Sequence, residues 1–316
     1  MSMIAFVFPG QGSQSVGMMD ELSSRYPLVI ELFASVSDRI GYDLWELVQY
    51  GPETLLNKTE HTQVAMLVAD VAVYKIIQKK GVVRAAMMAG HSLGEYAALV
   101  CADAIDLLDA AALVAKRGQL MQETIPVGMG AMAALVGLTD EEVQAICIEV
   151  STPSGMVTPA NYNAIGQVVI AGHTMAVEKA KKRAEEMGAR MTINIPVSVP
   201  CHCPLLQDAA EEFADSLQRT VFQVPTLPVI SNVNLSVYQS VDQIRTLLKE
   251  QLYSPVRWVE TIQAMKNKGI EYIIECGPGK VLSGLTKRID KTLHSMSVND
   301  EASLDAVLTK LSTGPK

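Results

Sequence analysis

Gly90-His91-Ser92-Leu93-Gly94 sets a serine between two glycines, after the apolar run Ala85–Ala89 and before the helix-forming stretch Glu95–Val100. Strand, Gly-x-Ser-x-Gly and helix together make the pattern of a nucleophile elbow. Its turn is too sharp for side chains at the flanking positions, and it leaves the serine hydroxyl exposed above the strand end. The first N–H groups of the following helix point the same way, toward any negative charge that develops there. The plain alternative is an ordinary strand-to-helix turn with Ser92 as N-cap. A serine hydroxyl is a weak nucleophile until a base takes its proton, and the chain has five histidines. His91 adjoins Ser92, but neighbouring side chains on an elbow point apart, so it reads as structural. His202 lies in the tight segment Pro200-Cys201-His202-Cys203-Pro204, which can hold a base rigidly; His61, His173 and His294 remain competitors. A carboxylate between Ser92 and His202 would complete a hydrolase-style triad, but none has a distinctive context; a backbone carbonyl could orient the base instead.

Arg117 interrupts an apolar, alanine-rich helix soon after the elbow. Its guanidinium fork matches a carboxylate through two parallel bonds, so it either pairs with an acidic side chain or selects a carboxylated substrate. Two other chemistries fail on spacing. Cys201-His202-Cys203 is too tight for a zinc site and lacks a second ligand pair. Pro9-Gly10-Gln11-Gly12-Ser13-Gln14 is glycine-rich, but no Gly-Lys-Ser/Thr follows and the GxGxxG spacing is absent, so it is a turn or an active-site loop rather than a phosphate cradle.

The chain has 316 residues, about half of them apolar, enough for a large core and one or two domains. Sixteen methionines place flexible thioethers in the core and pocket walls. A net charge of −8 argues against a general affinity for nucleic acid or anionic membranes. Five scattered cysteines are no disulfide framework and point to a reducing cytoplasm. The N-terminus lacks a basic n-region and reads as a first strand. No apolar run reaches the ~18 residues that span a bilayer.

The elements that must carry these residues follow in order. Ile4–Phe8 is a buried strand; helices are expected at Val29–Ile40, Leu44–Gln49, Thr62–Lys80 and Asp106–Thr124. From Pro126 the texture changes to strand Met129–Val136, helix Thr139–Val150, strands Val157–Asn161 and Gln167–Ala171, helix His173–Met187 and strand Met191–Ile195. This β-α-β-β-α-β order is the ferredoxin-like unit, here inserted into a larger domain. After Pro204 come helix Leu205–Arg219, strand Val229–Asn232, helices Val241–Tyr253 and Trp258–Lys268, strand Tyr272–Glu275, helix Val281–Arg288, strand His294–Val298 and helix Ala302–Leu311. Strands alternating with helices predict an α/β fold with a mainly parallel sheet covered on both faces. The large domain is expected over 1–125 and 199–316, the small α+β subdomain over 126–198.

Taken together, Phe8–Gln14, Gly90–Tyr96, Arg117-Gly118, Gly166–Gly172, Val197–Pro200 with His202, Gln251–Val256 and Gly277–Lys280 resemble the malonyl-CoA:acyl carrier protein transacylases of fatty-acid synthesis. The resemblance implies a hydrolase-like α/β domain with a ferredoxin-like insertion and a ping-pong transfer of malonyl from malonyl-CoA to acyl carrier protein. It assigns the nucleophile to Ser92, the general base to His202 and the malonyl carboxylate partner to Arg117. Backbone N–H groups of Gln11 and Leu93 fall where the family's oxyanion donors lie, and the main-chain carbonyl of Gln251 where the histidine is oriented. It implies no cofactor beyond the coenzyme A thioester, and a cytoplasmic monomer is expected. The sequence departs from the family at Cys201, where a small residue such as serine is common, and at Ile165, where proline is frequent; both bear on pocket shape, and Cys201 could confer sensitivity to thiol reagents. Carrier proteins are acidic, so docking on this acidic chain calls for a local basic surface, with Lys181–Arg190 and Lys280, Lys287 and Arg288 as candidates. A serine esterase with water as acceptor, and a non-enzymatic carrier-binding module, are the competing readings. A neutral ester would leave a buried Arg117 unpaired, and a degenerate module would not need Ser92, His202 and Arg117 together.

Overall fold

The computed structural model describes residues 3–81, 84–126, 128–196 and 199–312. Val127, which marks the expected boundary near 126, and Val197 and Ser198, which begin the Val197–Pro200 motif, lie outside the described residues, as do Met1 and Ser2.

Five strands form one parallel sheet: β1 (Met3–Phe8), β2 (Met87–Gly90), β7 (Val229–Ile230), β8 (Ile270–Cys276) and β9 (His294–Val298), in the order β7-β2-β1-β8-β9. Parallel strands covered on both faces must be apolar at successive positions. Ile4–Phe8 meets that condition, with every residue buried. Helix Thr59–Lys79 is buried nearly all round and packs against helices Gly94–Cys101 and Leu107–Thr124. Because β1 is central and flanked by β2 and β8, the carboxyl ends of all three meet. The Pro9–Gly12 loop, the Gly90–Gly94 turn and the Gly277–Lys280 turn therefore share one edge, the usual ligand edge of an open α/β sheet.

The second sheet is antiparallel: β3 (Gly130–Val136), β4 (Val157–Ala164), β5 (Gln167–His173) and β6 (Met191–Asn194), in the order β4-β5-β3-β6. Helices Asp140–Val150 and Thr174–Glu186 cover one face. Thr139 opens the first with a complete capping box, its hydroxyl accepting from Glu142 N while Glu142 accepts from Thr139 N. The other face, with Met132, Ala160, Val169 and Ala171, packs on Cys203, partly buried Cys201 and Leu205, which set His202 against the small sheet.

Three elements differ from the sequence expectation in ways that matter to the site. β4 runs on to Ala164, because Gly166 adopts φ 69 and closes a tight hairpin into β5; Ile165 sits at its tip, 64% exposed and away from the pocket wall. β7 stops at Ile230, since Ser231 N turns back to Ser236 O and the Asn232 side chain leaves toward the elbow. Helix Val241–Glu250 ends three residues before the expected Tyr253, which makes Gln251 its C-cap. The last carbonyls of a helix have no partner within it, so Gln251 O is free to accept from elsewhere. No helix among the described residues is long and apolar enough to cross a membrane.

Candidate active site

The elbow is packed so closely that its glycines are obligatory. A Cβ on Gly90 would lie 1.8 Å from Gly94 C, and one on Gly94 would lie 2.0 Å from Phe8 O. Ser92 itself is held at φ 53, the left-handed region that L side chains avoid. Such strain persists only where neighbours over-determine it. Asn232 is one such neighbour: its Oδ1 accepts from Ser92 N at 2.7 Å and its Nδ2 donates to Gly90 O at 2.7 Å. Ser92 is therefore not a helix N-cap; Leu93 takes that place, with no side-chain cap. The hydroxyl is left to point into a cavity of about 200 Å³ between the two sheets.

His202 reaches the same point from the far side. Its Nε2 lies 2.7 Å from Ser92 Oγ, and its Nδ1 lies 2.8 Å from Gln251 O. A carbonyl only accepts, so Nδ1 carries the proton and Nε2 presents its lone pair to the serine. No carboxylate takes part; the orphan carbonyl at the helix end orients the ring. His202 is also strained, at φ 59, and its N–H donates to Leu252 O at 3.1 Å. Burial, together with the Arg117 guanidinium, pushes its pKa down to about 3, so the ring is neutral at physiological pH. The competing histidines lie elsewhere: His61 packs edge-on to Tyr42, His173 Nδ1 accepts from Met156 N, and His294 stacks on Tyr272. His91 Nε2 meets Asn163 Oδ1 of β4 at 2.8 Å, and its ring packs edge-on to Trp258, which ties the elbow to the small sheet.

Arg117, on helix Leu107–Thr124, is 1% exposed. One Nη2 donates to Gln251 Oε1 at 3.0 Å and lies 3.4 Å from Ser92 Oγ, and the guanidinium rests over the Tyr96 ring. Its Nε has no hydrogen-bond partner, and none of the salt bridges among the described residues involves it. A buried cation without a direct counter-ion is costly unless a ligand supplies the anion. Gln11 and Leu93 both line the cavity, as do Met121 and Met132. Cys201 lines it too, but burial pushes its thiol up to about 11, so thiolate chemistry with external reagents is suppressed.

Three further groups complete the site. Glu95, fully buried, accepts from Tyr238 OH at 2.5 Å, Gln251 Nε2 at 2.6 Å and Asn232 N at 3.3 Å. Gln251 Nε2 also donates to Ser92 O at 3.0 Å. Burial raises the Glu95 pKa to about 7, opposed by those donors and by Arg117. In the sequence Glu95 read as no more than a helix former, and Asn232 as the end of a strand. The available signal was a carboxylate inside an otherwise apolar helix.

A model of the acyl transferase domain matches residues 5–313. The chain is 49% identical over 308 residues to the malonyl CoA-acyl carrier protein transacylase of Escherichia coli K12, covering 98% of this chain and 99% of that protein. The Bacillus subtilis malonyl CoA-acyl carrier protein transacylase is 40% identical over 311 residues, covering 98% of each. Among solved structures, a complex of a type II polyketide synthase acyl-carrier protein with its malonyl-transacylase matches with a TM-score of 0.96 and 49% identity, covering 98% of this chain and 99% of that one.

Proposed function

The chain belongs to the acyl transferase domain family and is an acyltransferase, and from that membership we propose that it carries malonyl from malonyl-CoA to the phosphopantetheine thiol of an acyl carrier protein through a malonyl-Ser92 ester. The observation that carries the acyl choice is Arg117: a buried guanidinium, in no salt bridge among the described residues, 3.4 Å from the nucleophile. Malonyl differs from acetyl by one carboxylate, the group such a cation would bind.

In the first half-reaction Ser92 gives its proton to His202 Nε2 while Oγ attacks the thioester carbonyl. The oxyanion is held by the backbone N–H groups of Gln11 and Leu93, each worth ~3 kcal/mol by comparison with other oxyanion holes. The C–S bond then breaks, and coenzyme A leaves as a thiol with the proton from His202. In the second half the carrier thiol gives its proton to His202 and attacks the ester, and Ser92 leaves with that proton. The imidazolium exists only between transfers, its Nδ1–H on the Gln251 carbonyl. The ester waits in a small cavity between two sheets, which limits water as a competing acceptor. All the groups named come from one copy of the chain, and no cofactor is needed beyond the thioester itself.

Lys280, Lys287 and Arg288 remain the better docking candidates for an acidic carrier. They are exposed on or beside helix Val281–Ile289, whose Val281, Leu282 and Leu285 line the cavity. On the alternative helix, Lys181 pairs with Glu178, and Arg183 with Glu149 and Glu186, which lowers the net positive field there.

Arg117→Ala tests the reading. Charge-assisted hydrogen bonds contribute ~1.5–3 kcal/mol, so malonyl transfer should fall by about 10- to 100-fold while acetyl transfer from acetyl-CoA is spared or rises. Equal losses for both donors in kcat/KM would make Arg117 a structural residue and remove the basis for malonyl.

A further inference from the structure

The side-chain amide of Gln251 can be oriented by chemistry alone. A guanidinium only donates, so the amide atom 3.0 Å from Arg117 Nη2 is the oxygen. The nitrogen then faces Ser92 O and Glu95 Oε2, both acceptors. Glu95 is surrounded by donors: the Gln251 amide, the Tyr238 hydroxyl and the Asn232 backbone N–H. With that set of donors both oxygens accept when Glu95 is ionised, and with its pKa at about 7 that form is present at neutral pH.

We propose that Glu95 is a positioning residue for acyl selection: anchored by Tyr238 and Asn232, it fixes the Gln251 amide so that the amide oxygen holds the Arg117 guanidinium beside Ser92. The inference rests on the functional reading above. It accounts for the arrangement physically. A direct Glu–Arg pair would offset the burial cost of Arg117 but would occupy the face a substrate carboxylate needs. One interposed amide keeps the negative charge nearby, fixes one Nη, and leaves Nε without a partner. The same amide grips the carbonyl of the nucleophile's own residue, so guanidinium and hydroxyl are held by one group. Main chain and side chain of Gln251 thus have separate tasks: the carbonyl orients His202 and the amide orients Arg117.

Two variants at Glu95 separate position from charge. Glu95→Met keeps length and apolar packing but offers the amide no comparable acceptor. Glu95→Gln removes the charge yet still presents an oxygen to Gln251 Nε2, because the Tyr238 hydroxyl can turn and accept from the new amide. The readout is the ratio of kcat/KM for malonyl-CoA to that for acetyl-CoA, with thermal melting to establish folding. Glu95→Met should lower the ratio by about tenfold, the worth of one charge-assisted hydrogen bond, and Glu95→Gln should restore most of it. Gln251→Met, which retains the main-chain carbonyl, should lower the ratio as Glu95→Met does, and it serves alone if Glu95→Met does not fold. A collapse of the ratio in Glu95→Gln, or an unchanged ratio in Gln251→Met, overturns the inference, as does an equal loss for both donors in Glu95→Met. Wild-type protein that never acquires malonyl removes the functional reading and this inference with it. Wild-type protein that acquires malonyl beside variants with an unchanged ratio removes this inference alone.

Discussion

At the scale of the residue, the proposed chemistry rests on a neutral imidazole. An isolated histidine is half protonated near pH 6.5 and loses base strength below it. Burial and the adjacent guanidinium hold His202 down at about 3, so it stays unprotonated through the mildly acidic range. The sign is that of a depressed histidine: activity is preserved, not lost, as pH falls below 6.5. The acid limb of kcat/KM should therefore lie well below pH 6. In Arg117→Ala, which removes one of the two causes, the limb should move upward, measured with acetyl-CoA so that donor binding does not interfere. A limb near 6.5 in the wild type would mean that His202 is not the titrating base.

Ser92, His202 and Arg117 were legible in the sequence because residue type and local context are enough to nominate them. Ser92 lies in a glycine-bounded turn, His202 between prolines and Arg117 in an apolar helix. Glu95, Asn232 and Tyr238 were not. They do not line the cavity, and their bonds span 137 to 156 residues of sequence, a pairing that no local pattern encodes.

At the scale of the element, two ends do the positioning. The elbow works because β2 turns into helix Gly94–Cys101 with no room for a side chain between that turn and β1. Gly94→Ala would drive a methyl into the carbonyl of Phe8, where no flexible side chain can give way. That variant should lose soluble, cooperatively melting protein or melt many degrees lower. A normal melt with normal activity would show that the close approach is not required. The second end is the C-cap at Gln251. Helical periodicity continues to Tyr253 in the sequence, and it says nothing about the carbonyl that His202 recruits; only the packed structure reveals why the helix stops early. The β-α-β-β-α-β order of the small sheet was legible, because each of its elements carries its own period and turn signals. The expected strand ends at Asn161, three residues short of Ala164, because the tight closure into β5 depends on the positive φ of Gly166.

At the scale of the whole molecule, the parallel sheet gathers three loops at one edge, and the small sheet closes over them. The alternation of strands and helices made that architecture legible. The contact between the two sheets was not, since it depends on which faces are left apolar after each has buried its own helices. Among the described residues the core buries two carboxyl groups outside the site, Asp70 and Glu275. Asp70, on the central helix, is fully buried beside Glu275 with neither oxygen hydrogen-bonded, and burial holds its pKa well above the usual carboxylate range. A raised acid keeps its proton when folded and releases it on unfolding. Its contribution is thus complete below about pH 4 and is lost as pH rises through the folded pKa, by up to ~1.4 kcal/mol per pH unit for one proton. Asp70→Asn should therefore gain stability relative to the wild type between pH 4.5 and pH 8 in denaturant melts. A constant difference across that range would show that Asp70 ionises freely in the folded protein.

The central claim is that Ser92 carries malonyl between two thiols. Its most direct test is a chase followed by intact-protein and peptide mass spectrometry. Protein mixed with malonyl-CoA should gain one malonyl group, mapped to the peptide that contains Ser92. Adding a carrier protein bearing phosphopantetheine should then discharge it onto the carrier, whereas a carrier without that arm should not. Ser92→Ala should never become labelled. Transfer to the carrier with no label on the wild-type protein, or label in Ser92→Ala, would contradict the account.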